Sequence, residues 1–324
     1  MKKETSLGWM FLIVFVMLCF LLLGVEMLTI SVIGSNITND TTLARVYVWN
    51  TEPNITSVFI SPSSIELNAG SFVTVNCTAY VWDYNGWQDV KALNATLYDV
   101  NYENNPEPDN NYRYFNDSCA PCVQADASGT NASCTCQFRV LYYANNGTWK
   151  CNFTITDQGG GSTDPLRNFT FSDSDVSGPA IVNTVLGIDT PDEIDYGNLS
   201  VTETSSYIPA NVTNWGNVPI NISVRGYGGT NESVPGVGNL SMICEFGNIT
   251  HGYQRYAINT SISYENMTNL SNTSTLIPDF TLPVRTNDAA YGSDNNVTYW
   301  KIQIPLTVGG HCNGTIQFNA IDAS

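Results

Sequence analysis

The chain of 324 residues holds only two histidines, His251 and His311. General acid–base and triad chemistry most often runs through histidine, so the search for catalysis narrows at once. His251 follows the triplet Asn248-Ile-Thr and is expected on the surface, and His311 lies in the run Gly309-Gly-His-Cys-Asn-Gly314, which reads as a turn. The sequence contains no HExxH, G-x-S-x-G or P-loop pattern. The glycine-rich run Asp157–Asp164 lacks the lysine a P-loop needs and reads as a hairpin loop. Glycoside hydrolysis needs two facing acids, and nothing singles out a pair among the scattered Asp and Glu. No catalytic residue is assigned, and the chain is not expected to be an enzyme.

Hard cations want clustered oxygens. Asp83, Asn85 and Asp89 in "DYNGWQD" offer them, and Asp99 and Asp157 end neighbouring strands. The stretch begins like an EF-hand loop, but Asn94 stands where the twelfth-position glutamate belongs. Turn chemistry accounts for the same residues, so no metal and no cofactor is assigned. Tyr84, Trp87, Tyr112, Tyr114 and Phe115, in or near loops, are candidates for stacking on sugars or partner proteins, against simple packing on the ends of a sandwich.

Cys19 lies in an apolar run near the N-terminus, which leaves Cys77, Cys119, Cys122, Cys134, Cys136, Cys151, Cys244 and Cys312. An even number beyond a membrane segment reads as disulfides in an oxidising compartment. Zinc is the rival, because Cys119-x-x-Cys122 and Cys134-x-Cys136 have ligand-like spacing. Cys244 and Cys312 are the only cysteines in the last part of the chain, so their pairing is nearly forced once either is oxidised.

The strongest chemical signal is N-x-[ST], the acceptor for N-linked glycosylation, which implies an exposed position outside the cytosol. The chain holds twenty-two such triplets, where chance would give roughly seven. Alternation on a strand could create N-x-T, since i and i+2 share a face, but alternation has no direction. The reversed triplet occurs only at Thr74-Val-Asn76 and Ser293-Asp-Asn295. The asymmetry fits selection for the acceptor. The expected glycosylation sites are Asn54, Asn76, Asn94, Asn116, Asn131, Asn146, Asn152, Asn168, Asn198, Asn211, Asn221, Asn231, Asn239, Asn248, Asn259, Asn266, Asn269, Asn272, Asn296 and Asn313. Asn36 and Asn39 lie close to the membrane segment and are set apart.

Residues 9–33 form an apolar run, and a bilayer core needs about 20 apolar residues. Lys2 and Lys3 precede it and no basic residue follows until Arg45, so the positive-inside rule puts residues 1–8 in the cytoplasm and the rest outside. Glu26, the one charge in the run, is placed at the outer headgroups. A cleaved signal peptide usually has an apolar region of about 7–15 residues; this one is longer, although Val32-Ile-Gly34 offers a cleavage site. The short start followed by an apolar helix and β-rich remainder also resembles an archaeal type IV pilin cleaved after Gly8, with Leu7 where that family usually has a basic residue. An uncleaved anchor ranks first, a filament subunit second and a secreted protein third.

Net charge is −17, with 12 Lys and Arg in all. So few basic residues, with no basic patch, exclude a nucleic-acid partner. Asn, Thr, Ser and Asp supply most of the polarity, and they disfavour helix. An all-β class follows. After a linker over 34–52, "SFVTVNCTAYVWD" alternates, with Val73, Val75, Cys77, Ala79 and Val81 on one face. "VKALNATLYD", "CQFRVLYYA" and "GTWKCNFTITD" read as further strands, "NYENNPEPDNNYRYFND" as a polar loop, and "NFTFSD" as a closing strand. Residues 53–173 resemble an immunoglobulin-like sandwich, with Cys77 on the second strand, Cys151 on the penultimate one and Trp149 where that pattern has tyrosine. The resemblance implies a Cys77–Cys151 bridge. Cys119–Cys136 and Cys122–Cys134 would nest around a loop, although sequence alone does not fix the set.

Residues 174–179 read as a linker and 180–324 as a second sandwich. "DYGNLSV" and "VTNWGNVPINISV" resemble sandwich domains of the ASH and major-sperm-protein type. "YWKIQIPLTVGGHCNGTIQFNA" is expected as two strands around "GGHCNG". One N-terminal membrane helix, sequon-dense sandwiches and paired cysteines together resemble archaeal cell-surface proteins. The expectation is two tandem β-sandwich domains outside the cell, on a single-pass anchor, in a structural or adhesive role. The partners would be N-linked glycans and proteins or glycans of the cell surface, or further copies of the chain.

Overall fold

The computed structural model describes residues 41–48, 50–157, 170–173, 177–286 and 293–323. Residues 1–48 and 49–324 are separate compact units. The described part of the first, Thr41–Val48, is exposed and has no regular secondary structure. The apolar run 9–33, Cys19, Asn36, Asn39, Asn168 and most of "DQGGGSTD" lie outside the described residues. Among the described residues no helix is long and apolar enough to cross a membrane.

The second unit is all-β. Alternation drives its elements: β-branched and aromatic side chains at every second position pack inward, while Asn, Ser and Thr face out. Its first half stacks two sheets. One runs in the order Asn54–Ser61, Phe72–Trp82, Asn131–Leu141, Val123–Gln124. The other runs Ser64–Ile65, Ala180–Val182, Gly147–Asp157, Val90–Asp99, Arg113–Asn116, with Thr170–Asp173 also paired to Gly147–Asp157. Val75, Cys77, Ala79 and Val81 meet Trp149, Cys151, Phe153 and Ile155 in one core, all fully buried.

The second half stacks two more sheets. One runs Ile188–Asp189, Ile208–Asn214, Asn295–Ile302, Gln254–Ala257, Thr268–Asn269. Its partner runs Asn248–Thr250, Leu240–Phe246, Gly309–Asp322, Ile220–Gly228, Thr275–Leu282. Its separate core includes Val212, Ile220, Ile222, Tyr256, Phe280 and Trp300.

Three expectations are corrected. Ala180–Val182 does not open the second half: Ala180 pairs with Trp149, Val182 with Ile65, and both side chains join the first core. The supposed polar loop contains the strand Arg113–Asn116, held because Tyr114 turns inward and pairs with Leu97. "GGHCNG" is no turn but the start of the strand Gly309–Asp322, paired to Leu240–Phe246. Gly314 there lies against the Ser241 carbonyl, so closely that no side chain would fit. The reversal falls earlier, near Thr307, whose φ is +68°.

Between the halves sits the stretch Asn214-Trp-Gly-Asn217. Asn214 is fully buried and ties its own turn: its side-chain amide donates to the carbonyls of Val218 at 2.9 Å and Pro283 at 3.1 Å, and its oxygen accepts from Gly216 N at 2.8 Å. Asn217 reaches the first half instead, donating to the carbonyls of Ala144 and Asn183 at 3.0 Å each and accepting from Val185 N at 2.8 Å. Gly70 N donates to the Trp215 carbonyl at 3.1 Å, and a Cβ at Gly70 would run into the Trp215 indole. Arg285 adds a bond to the Tyr142 hydroxyl at 3.2 Å.

Candidate functional site

Three groups of residues carry chemistry: the bridges, the acceptor asparagines and the acids at one end of the first half. The eight cysteines form Cys77–Cys151, Cys119–Cys136, Cys122–Cys134 and Cys244–Cys312. Cys77 and Cys151 lie on opposite sheets with both side chains fully buried, so their bond crosses the core. Cys134 and Cys136 are buried on the Asn131–Leu141 strand, and each holds a cysteine of the 117–122 loop against the sheet edge. Cys244 and Cys312 are direct cross-strand partners within one sheet. The cysteine spacing that resembled a zinc site is thus taken up by bridges.

Nineteen of the twenty acceptor asparagines set out above are described, and none is buried. Asn54, Asn146, Asn198, Asn211, Asn231, Asn239, Asn248, Asn259, Asn266, Asn269, Asn272, Asn296 and Asn313 are exposed; Asn76, Asn94, Asn116, Asn131, Asn152 and Asn221 are half-exposed on outward strand faces and turns. Asn214 and Asn217, 0% and 4% exposed, belong to no acceptor triplet. Among the described residues, the buried asparagines thus all fall outside the acceptor triplets.

The acids sort differently from their order in sequence. Asp99 is buried at one end of the Val90–Asp99 strand and well satisfied: it accepts from Asn101 N and Asn101 Nδ2 at 3.0 Å and from Asn145 Nδ2 at 3.1 Å. Asp83, Asp89 and Asp157 stand at the other end of that strand, where Val90 pairs with Asp157. Asn85 is spent on local structure, since its backbone N–H donates to Asp83 Oδ1 and its side-chain oxygen accepts from Thr51 N, each at 2.7 Å. Burial first, then the charges of Asp89 and Asp157, push the Asp83 carboxyl above its ordinary pKa, against the Asn85 and Gly86 backbone bonds.

His251 is half-buried rather than on the surface: its ring Nε2 donates to the Gly226 carbonyl at 3.0 Å, and burial lowers its pKa. His311 is exposed on its strand. Of the five loop aromatics, Tyr84 and Phe115 are exposed, Trp87 packs on the core, Tyr112 stacks on Tyr102 at 4.4 Å, and Tyr114 is buried. Sequence reasoning missed a larger aromatic face. Phe59, Tyr80, Trp82 and Tyr84 line the outside of the first sheet, with Phe59 edge-on to Tyr80 and Trp82 edge-on to Tyr84. Period-two spacing of Tyr80, Trp82 and Tyr84 was the available signal.

No protein-family model matches the chain, and no curated protein sequence does. Among solved structures, it is similar to the chaperone–tip adhesion subunit pre-assembly complex of Csu pili from Acinetobacter baumannii, with 10% identity over 83% of this chain and 99% of that one, at a TM-score of 0.37. A chaperone–tip adhesin complex of CFA/I fimbriae matches with 8% identity over 83% and 84% of the two chains, at 0.29.

Proposed function

We propose that this chain is a membrane-anchored, N-glycosylated surface protein whose two tandem β-sandwich domains stand outside the cell in a structural or adhesive role. One observation carries the reading: every described acceptor asparagine is open to solvent, while the two most deeply buried asparagines carry no acceptor triplet. Four disulfides are what an oxidising compartment allows. Bridges resist unfolding where chaperones are absent, and glycans hydrate the surface and block strand-edge pairing. The apolar run 9–33 is the anchor in this reading, with residues 1–8 in the cytoplasm. The outer aromatic face of Phe59, Tyr80, Trp82 and Tyr84 is a surface on which a partner or glycan would dock. Catalysis has no part in it.

Intact and peptide masses of the protein from its native membrane test the proposal. Glycopeptides at many of the twenty asparagines, with residues 1–33 retained, are the expected result. A mature start at Trp9 would replace the anchor by a filament-forming helix. Unmodified asparagines throughout would overturn the surface reading.

A further inference from the structure

Two buried aspartates of the first core, Asp83 and Asp99, meet opposite conditions. Asp99 is surrounded by donors, as described above. Asp83 is 0% exposed, and while its Oδ1 accepts from Asn85 N, its Oδ2 is buried with no hydrogen-bond partner. A buried carboxylate oxygen left so is rare and costly, and calls for an explanation. Burial acts most strongly on the group, the Asn85 backbone bond opposes it, and the like charges of Asp89 and Asp157 add to it; no cationic side chain is among these influences.

The topology explains why these acids meet. Asp83 follows directly on the Phe72–Trp82 strand of one sheet, and Asp157 ends the Gly147–Asp157 strand of the other. Asp89 immediately precedes Val90, which pairs with Asp157. The bond from Thr51 N to Asn85 brings the incoming chain, and with it Asn50, to the same end. Neither a histidine nor a free thiol lies in these stretches, so the donors are all oxygens.

We propose that this end of the first half binds a divalent cation of the calcium class, held by the carboxylates of Asp83 and Asp157, with Asp89 and the Asn50 amide completing the protein's share. No three acidic, histidine or cysteine side chains among the described residues form a metal cage on their own. Calcium does not need one. It takes six to eight oxygens in irregular geometry and fills its shell from amide oxygens, main-chain carbonyls and water, whereas magnesium demands a near-ideal octahedron and zinc prefers nitrogen and sulfur. A cation here would join the two sheets and the entering chain at one end, as Cys77–Cys151 joins the sheets within the core. The site stands whether or not the chain is glycosylated or anchored.

The test uses the full chain in detergent, stripped with EDTA. Millimolar Ca2+ is expected to raise its Tm by about 5–10 °C. Tb3+ should show emission excited through Trp87 and lose it to Ca2+. Asp83→Asn should abolish both responses; Asp195→Asn, the same charge change on an exposed loop of the second half, should keep both. An unchanged Tm with no Tb3+ emission overturns the proposal. So does an undiminished response in Asp83→Asn, which would be general screening of a chain of net charge −17, and so does an equal response to Mg2+. Should Asp83→Asn fail to fold, Asp157→Asn and the wild-type Tb3+ displacement decide in its place.

Discussion

In the first half, Cys77 reaches from one sheet to Cys151 on the other through the middle of the core. In the second, Cys244 and Cys312 face each other on neighbouring strands of one sheet, at half-buried positions. The bridge between sheets is replaced there by aromatics. Trp300, fully buried, lies tilted against Tyr256 at 5.2 Å within its own sheet and edge-on to Phe318 of the opposite sheet at 5.9 Å, while its indole N–H donates to Thr298 Oγ1 at 2.9 Å. The two halves, each built of two sheets, thus close by different means. Loop length does not account for the choice, since the bridges span nearly equal separations of 74 and 68 residues. Chain entropy assigns about 4.4 kcal/mol to each.

That near-equality makes the contrast testable. Replacing Cys77 and Cys151 by alanine should cost about 5 kcal/mol, because chain entropy and lost core packing add. The Cys244→Ala, Cys312→Ala pair should cost about 4 kcal/mol, the chain-entropy share alone. Urea unfolding of the full chain, followed by tryptophan fluorescence, reads both; equal losses would mean that core packing adds nothing to loop closure. Trp300→Ala should cost about 4 kcal/mol in the second half and leave the first transition in place. If it lowers both midpoints together, the two cores are one cooperative system.

Asn217→Ala sharpens the comparison from the junction. It strands the Ala144 and Asn183 carbonyls and Val185 N, and should cost about 2 kcal/mol. The calorimetric transitions of the two halves should then draw further apart. The smallest effect concerns Asp83. A carboxyl whose folded pKa is raised contributes stability below its unfolded pKa and loses that contribution as pH rises through the folded value. In EDTA, Asp83→Asn should therefore unfold at higher denaturant than wild type at pH 7, with the advantage gone below about pH 4. An advantage constant with pH would mean that ionisation of Asp83 is not its cause.

Strands with clean alternation were legible in the sequence. Trp149, Cys151, Phe153 and Ile155 all turn inward as their spacing requires. What escaped was decided by pairing at a distance. Arg113–Asn116 sits among Asn and Pro and becomes a strand only because Leu97 and Tyr98 offer an edge. Gly309–Asp322 begins with glycines that would suit a turn, yet the Leu240–Phe246 strand comes close enough to need two of them, Gly310 and Gly314. The acids were visible as residue types, but no local rule separates Asp99, capped by Asn101 and Asn145, from Asp83, gathered with Asp157. The Asn-x-Gly-Asn motif was legible as a pattern; that its second asparagine binds the other half was not.

The division between buried and exposed asparagines bears on the order of events in biosynthesis. Asn214 and Asn217 escape the acceptor triplet only through Gly216 and Pro219 at their +2 positions. Pro219 is itself exposed, so Pro219→Thr is a mild surface change by packing. It creates Asn217-Val-Thr, and a sugar attached before the halves meet would sit where Asn217 must bond Ala144. In a glycosylating host the variant should yield chains carrying an extra glycan and lacking the joined fold; in a host without that machinery it should fold as wild type. Half of what keeps the junction intact would then be written in a residue that takes no part in it, as the omission of a hydroxyl.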